Sequence, residues 1–213
     1  MFRVKICGVR LQGDVEAVAA AGGDAIGLNF FPPSVRYVDP ADPHTRELSL
    51  VAAKLGLFRV GVFVNESPER IAEIAAAVGL DAIQLHGDET VELAAKIAGQ
   101  KLRAIKLPVG PLTVSQIDAA SRPWVNASYH VLFDADAGAA HGGSGKTLDW
   151  PTIAEWASLN PSVSWTLAGG LTPDNVSDAI RISAATSVDT ASGVESAKGA
   201  KSTERIRHFV ANC

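Results

Sequence analysis

Short apolar runs alternate with longer amphipathic stretches along the whole chain. The apolar runs predict strands near residues 3–7, 25–30, 58–64, 82–86, 102–107, 129–134, 163–168 and 186–190. The amphipathic stretches predict helices near 13–22, 42–55, 68–78, 89–98, 113–120, 149–158, 173–182 and 202–211. Phe58-Arg59-Val60-Gly61-Val62-Phe63-Val64 is apolar almost throughout, as a strand covered on both faces requires. Ser67-Pro68-Glu69-Arg70 supplies a cap, an N1 proline and an early acid, and Thr172-Pro173-Asp174 repeats the device. Gly22, Gly23 and Gly79 close helices before the next strand.

Eight strand-then-helix units with no Pro/Ser-rich linker predict one domain over residues 1–213. The expected fold is α/β, a single closed (β/α)8 TIM barrel. An open doubly wound sheet is the alternative, but it would bring fewer units and a nucleotide fingerprint. The turn after the first strand, Cys7-Gly8-Val9-Arg10-Leu11-Gln12-Gly13, is not G-x-G-x-x-G. His141-Gly142-Gly143-Ser144-Gly145-Lys146-Thr147 ends like a Walker motif but does not begin like one.

Hydrophobic residues at 47% and charged residues at 20% fit a chain with a sizeable core. A net charge of −4 argues against nucleic acid as the main partner. No run approaches the 18 apolar residues or so of a membrane span. Met1-Phe2-Arg3-Val4-Lys5 runs straight into a strand pattern and carries no signal-peptide core. With two cysteines, Cys7 and Cys213, there is no disulfide framework, and the cytoplasm is the expected compartment.

In such a barrel, chemistry belongs at the C-terminal ends of the strands. Polar residues end several of them here: Cys7, His86, Lys106, Asp134 and Asp189. Strand alternation puts Lys5 and Cys7 on one face, with Val4 and Ile6 on the other. Each polar residue alone has a plain reading: a packed cysteine, a solvated rim residue, a loop cap. Five around one mouth make a site. Glycines cluster after strands six, seven and eight (Gly142, Gly143 and Gly145; Gly169 and Gly170; Gly193), where backbone N–H groups could cradle phosphate or merely make tight turns. Arg36, on the proline-stiffened loop Phe31-Pro32-Pro33-Ser34-Val35-Arg36-Tyr37, suits bidentate capture of a carboxylate; a surface ion pair is the commoner fate of an arginine. No H-x-H or H-E-x-x-H pairing supports a metal hydrolase.

The chain resembles the phosphoribosylanthranilate isomerase family of tryptophan biosynthesis. The likeness runs from Val4-Lys5-Ile6-Cys7-Gly8 through Ser34-Val35-Arg36-Tyr37-Val38, Val60–Asn65 and Gln84-Leu85-His86-Gly87. It continues through Gly142–Trp150, Leu167–Val176 and Ser192-Gly193-Val194-Glu195. The resemblance implies an Amadori rearrangement of N-(5′-phosphoribosyl)anthranilate to 1-(2-carboxyphenylamino)-1-deoxyribulose 5-phosphate, with no cofactor and no metal. It makes Cys7 the general base and Asp134 the general acid. It places Lys5, Arg36, His86, Gly143, Gly145, Gly169, Gly170, Asp189, Ser192 and Gly193 around a small phosphosugar-anthranilate substrate, in a monomer or homodimer. Cys7 then needs a lowered pKa, with Lys5 as the candidate cause, and Asp134 a raised one.

Three departures stand out. Ala191 replaces a serine near the expected phosphate, Asn29 occupies a position that is usually apolar, and Pro33 replaces a variable, often polar, residue. The stretch Ala135–Ala140 lengthens the loop after Asp134 and is a candidate lid. Competing readings are a different phosphosugar barrel enzyme and a non-catalytic phosphate-ligand binder, which would need neither Cys7 nor Asp134. The barrel also puts Cys7 and Cys213 at opposite ends, too far apart for a disulfide.

Overall fold

A computed structural model describes residues 1–136 and 147–213. Gly143, Gly145 and most of the candidate lid lie outside the described residues. Eight parallel strands close into a barrel in chain order: β1 (Val4–Cys7), β2 (Ala25–Asn29), β3 (Phe58–Phe63), β4 (Ala82–Leu85), β5 (Gln100–Pro108), β6 (His130–Asp136), β7 (Trp165–Leu167) and β8 (Val188–Thr190). Between and after them run α1 (Gln12–Ala21), α2 (Pro43–Lys54), α3 (Pro68–Val78), α4 (Val91–Ala94), α5 (Val114–Asn126), α6 (Trp150–Leu159), α7 (Val176–Ser183) and α8 (Thr203–Ala211). This is the expected (β/α)8 barrel.

Strand alternation sorts side chains into two cores. Val4, Ile6, Ile26, Leu28, Phe63, Ile83, Leu85, Ile105, Leu107, Val131, Phe133, Leu167 and Val188 face outward into one large cluster shared with the helices. The opposite parity fills the barrel: Phe2, Ala25, Val60, Ala82 and Leu102 form one layer, and Ala104, Leu132 and Ala168 another. Both faces of the strands are therefore buried, which is why their sequence reads as nearly unbroken apolar runs.

The start signals work as read at α3: Ser67 Oγ accepts from Arg70 N at 3.2 Å, Pro68 opens the helix, and Gly79 (φ +75°) ends it. Three elements differ from expectation. Helix α4 is four residues long, because bonds of the three-residue type from Lys96 N to Leu93 O and Ile97 N to Ala94 O tighten its end. Lys101 then caps Ile97 O. Helix α5 runs on through Pro123 to Asn126, held by Trp124, which is buried beneath the Arg103 guanidinium at 4.7 Å. Helix α7 starts three residues late: Asn175 Oδ1 accepts from Thr172 N at 2.8 Å, and its Nδ2 donates to Gly170 O at 3.0 Å. An unexpected short hairpin follows β8 and a 3₁₀ turn at Ser192–Val194: β9 (Glu195–Ala197) and β10 (Ala200–Lys201), antiparallel.

Cys213 lines a cavity of about 270 Å3 with Arg3, Ala185, Thr186 and Val188, at the N-terminal end of β8. Cys7 sits at the C-terminal end of β1, and both thiols are free.

The lower barrel also holds a buried polar chain. His130 Nε2 lies 2.7 Å from Thr166 Oγ1, which lies 2.8 Å from Ser187 Oγ, while His130 Nδ1 meets Ser164 Oγ at 3.1 Å. Burial pushes the His130 imidazole down to about 4. The unfolded chain, with an ordinary histidine, takes up this proton first as pH falls, so acid favours unfolding from about pH 6.5 downward. Urea unfolding should show about 2 kcal/mol less stability at pH 5 than at pH 7 from this residue. His130→Gln should remove that increment; an unchanged pH dependence in the variant would assign it to other groups.

Candidate active site

Lys5 and Asp189 face each other inside the barrel as register partners across the β1–β8 seam, Nζ to Oδ1 at 2.7 Å. Lys5 is wholly buried. The pair therefore sits beneath the mouth, each charge spent on the other rather than open to a ligand. Burial alone would lower the Lys5 pKa, but Asp189 and then Cys7 outweigh it and the net shift is upward.

Two residues further along β1, Cys7 points into the mouth above this pair. An added Cβ on Gly27 of β2, its register partner, would lie 2.6 Å from the Cys7 sulfur, so only glycine leaves room for the thiol. Burial raises the Cys7 pKa, opposed by Lys5, while Asp189 adds to the rise and Lys201 and Arg36 work against it. The net shift is upward. The lowered thiol expected from Lys5 is thus not found, because burial prevails and Asp189 answers Lys5.

Asp134 lies near the C-terminal end of β6, two residues before its last residue, beside Lys106 of β5, its register partner. One oxygen accepts from Ala135 N at 3.0 Å, and the other lies 3.4 Å from His86 Nε2. Gln84, two residues before His86 on β4 and buried, brings its amide nitrogen to 3.1 Å from His86 Nδ1. With that amide donating, the ring proton sits on Nε2 and faces Asp134. The turn after β4 is clamped by the buried Glu89, which accepts from Asn65 N at 2.7 Å, Gly87 N at 2.9 Å and Arg103 Nη1 at 2.5 Å. An added Cβ on Gly87 would lie 2.3 Å from Asn65 Oδ1, so glycine is required there. His86 is thus held by a rigid turn.

Gly169 and Gly170 follow β7 with φ of +79° and +70°, the left-handed region that favours glycine. An added Cβ on Gly169 would lie 2.4 Å from Ala135 N, so the β7 loop packs directly on the end of β6. No backbone carbonyl among the described residues accepts from the Gly169 or Gly170 N–H. Gly193 has a different reason to be glycine: a Cβ would lie 1.8 Å from Leu171 O. Its substitution is a test of packing before it is a test of ligand binding. Ser192 opens the 3₁₀ turn beside it, and the backbone carbonyl of Ala191 accepts from Lys201 Nζ at 2.8 Å.

Arg36 leans over Gly8, whose added Cβ would lie 2.3 Å from Arg36 Cδ. Its guanidinium is already paired with Glu195, Nε to Oε1 at 2.6 Å and Nη2 to Oε2 at 2.9 Å. Asn29 is explained as well: its Oδ1 accepts from Phe31 N at 2.9 Å, the turn that launches the Arg36 loop. Glu195, Lys201 and Gln84 escaped notice in the sequence as site residues. The Lys198-Gly199 pair between two polar segments is the only local sign of the hairpin that carries the first two.

The closed eight-strand ring, with a cysteine, a carboxylate, an arginine and glycine loops gathered at the C-terminal ends of its strands, has the architecture of a (β/α)8-barrel enzyme. A family described as N-(5'phosphoribosyl)anthranilate (PRA) isomerase matches residues 4–212. The N-(5'-phosphoribosyl)anthranilate isomerase of Thermotoga petrophila is 41% identical over 212 residues, covering 100% of this chain and 98% of that protein. The crystal structure of phosphoribosyl anthranilate isomerase from Thermotoga maritima superposes with a TM-score of 0.86 at 35% identity, over 100% of this chain and 98% of that one. A second, in complex with reduced 1-(o-carboxyphenylamino)-1-deoxyribulose 5-phosphate, gives 0.82 at 34% identity with the same coverage. The chain belongs to the phosphoribosylanthranilate isomerase family of tryptophan biosynthesis.

The buried ion pair yields a sharp test. Lys5→Met should cost about 3–5 kcal/mol in urea unfolding, because it strands a buried carboxylate. Lys5→Met/Asp189→Leu should recover much of that loss. A double variant as unstable as the single one would show that the pair is not coupled.

Proposed function

We propose that this chain catalyses the Amadori rearrangement of N-(5′-phosphoribosyl)anthranilate, with Cys7 as general base and Asp134 as general acid. The observation that carries the reading is the placement of these two groups at the mouth, on strands β1 and β6 of a closed eight-strand ring. They are separated by two strands one way round and four the other, far enough apart to address different atoms of one sugar.

Asp134 gives its proton to the ribose ring oxygen as the C1′–O bond breaks. The anilino nitrogen lone pair forms the C=N bond, leaving a positively charged Schiff base. Cys7 then removes the C2′ proton, the C2′–H electrons form the C1′–C2′ double bond, and the C=N electrons return to nitrogen. The neutral enolamine tautomerises to the ketone. The raised pKa of Cys7 fits this order: the cation that ring opening creates beside the sulfur favours the thiolate when it is needed. Lys5 and Asp189 act from beneath, as a fixed charged floor. His86 orients Asp134 and supplies a path for its proton.

The phosphate is assigned to the N–H groups of Gly169, Gly170, Ser192 and Gly193, together with Gly143 and Gly145. Asn175 fixes the first loop by its bond to Gly170 O. Arg36 takes the anthranilate carboxylate. The reaction calls for no cofactor or metal, since it is an isomerisation carried by proton transfers with no external oxidant or reductant.

Loss of substrate anthranilate fluorescence on adding the pure protein tests the activity. Cys7→Ala and Asp134→Asn should each fold normally and lower kcat by at least about 100-fold, the scale of a lost general base or acid. Near-normal kcat in either variant would reduce that residue to a packing or capping role. Inorganic phosphate should raise the apparent KM without lowering kcat; failure to compete would move the phosphate elsewhere.

A further inference from the structure

We propose that Glu195 and Lys201, on the hairpin after β8, are positioning residues that hold Arg36 with one face of its guanidinium turned to the substrate carboxylate. This rests on the reading of Arg36 given above. A guanidinium has two bidentate faces, Nε with Nη2 along its side and Nη1 with Nη2 at its end. Glu195 takes the side face through Nε and Nη2. Among the described residues Nη1 makes no hydrogen bond, so the end face can take a second carboxylate.

Glu195 is itself held. Its Oε1 accepts from Lys201 Nζ at 3.1 Å, and its Oε2 accepts from Gly199 N at 3.1 Å at the hairpin turn. The Lys201 side chain has no exposed surface and also donates to Ala191 O at 2.8 Å, tying the hairpin to the end of β8. The turn seats on the Arg36 loop: a Cβ on Gly199 (φ +80°) would lie 3.0 Å from Val35 O. Arg36 is thereby fixed at both ends, its stem over Gly8 and its head on Glu195. Burial would raise the Glu195 pKa, but Arg36 and Lys201 pull it below the ordinary carboxylate range, so it is ionised at neutral pH. Two cations share one carboxylate, and the surplus charge suits a substrate that brings its own.

The test is calorimetric titration with reduced 1-(o-carboxyphenylamino)-1-deoxyribulose 5-phosphate, which carries both carboxylate and phosphate, against inorganic phosphate on the same preparations. Glu195→Gln keeps one acceptor and should raise the analogue Kd about tenfold, the scale of one lost charge-assisted hydrogen bond. Lys201→Met should raise it several-fold. Phosphate affinity should stay unchanged in both, which also controls for folding. Because Glu195 acts through Arg36, Arg36→Met/Glu195→Gln should bind the analogue no more weakly than Arg36→Met alone. Additive losses, equal weakening toward phosphate, or tighter binding by Glu195→Gln (the mark of a carboxylate that merely blocks Arg36) would overturn the proposal. If Arg36→Met itself leaves the analogue Kd unchanged, the carboxylate reading of Arg36 fails. If only Glu195→Gln and Lys201→Met leave it unchanged, the positioning role alone fails.

Discussion

The buried pair Lys5–Asp189 is the constraint on which the rest of the site depends. A closed barrel sends the inward side chains of eight strands into one small interior, where alanine, valine, leucine and phenylalanine build two apolar layers. Two full charges in that setting persist only if they are paired and well aligned. They are, at 2.7 Å, and they lie across the β1–β8 seam where the first and last strands meet. One interaction thus joins the seam and sets a charged floor beneath Cys7. Because Asp189 answers Lys5, the floor does not by itself deprotonate the thiol.

Above the floor, small residues place large or reactive ones. Gly27 leaves space for the Cys7 sulfur, Gly8 for the Arg36 stem, and Gly87 for Asn65 and the turn that carries His86. Each exclusion acts between backbone and a functional side chain, so precision at the mouth comes from strand ends and tight turns more than from long side chains. The same logic separates the glycines after β7 from Gly193: the former have left-handed backbone and N–H groups without carbonyl partners among the described residues, whereas Gly193 is squeezed against Leu171 O.

The architecture was legible because its signals are local and periodic. Alternation in β1 alone separates Lys5 and Cys7 from Val4 and Ile6, and the structure keeps that division. Ser67-Pro68 and Gly79 mark the ends of α3 through side-chain and backbone chemistry confined to a turn. What escaped was non-local. Arg36 and Glu195 are 159 residues apart, so an arginine suited to a ligand carboxylate gave no sign of an internal partner. Strands β9 and β10 span three and two residues, too few for a period-two pattern. Helix α4 was overestimated because Ala94–Ile97 is helix-favouring in composition, while its end is tightened and capped by Lys101 from the next strand.

The central claim is that Cys7 and Asp134 address different atoms of one open-chain sugar. A crystal structure of this protein with reduced 1-(o-carboxyphenylamino)-1-deoxyribulose 5-phosphate tests it most directly. The account predicts the Cys7 sulfur near C2′, at the roughly 3–3.5 Å separation of a reactive pair, and an Asp134 carboxyl oxygen hydrogen-bonded to the 4′-hydroxyl that the ring oxygen becomes. A complex in which Asp134 stays on His86 and another acid meets the 4′-hydroxyl, or in which the sulfur faces away from C2′, would contradict it.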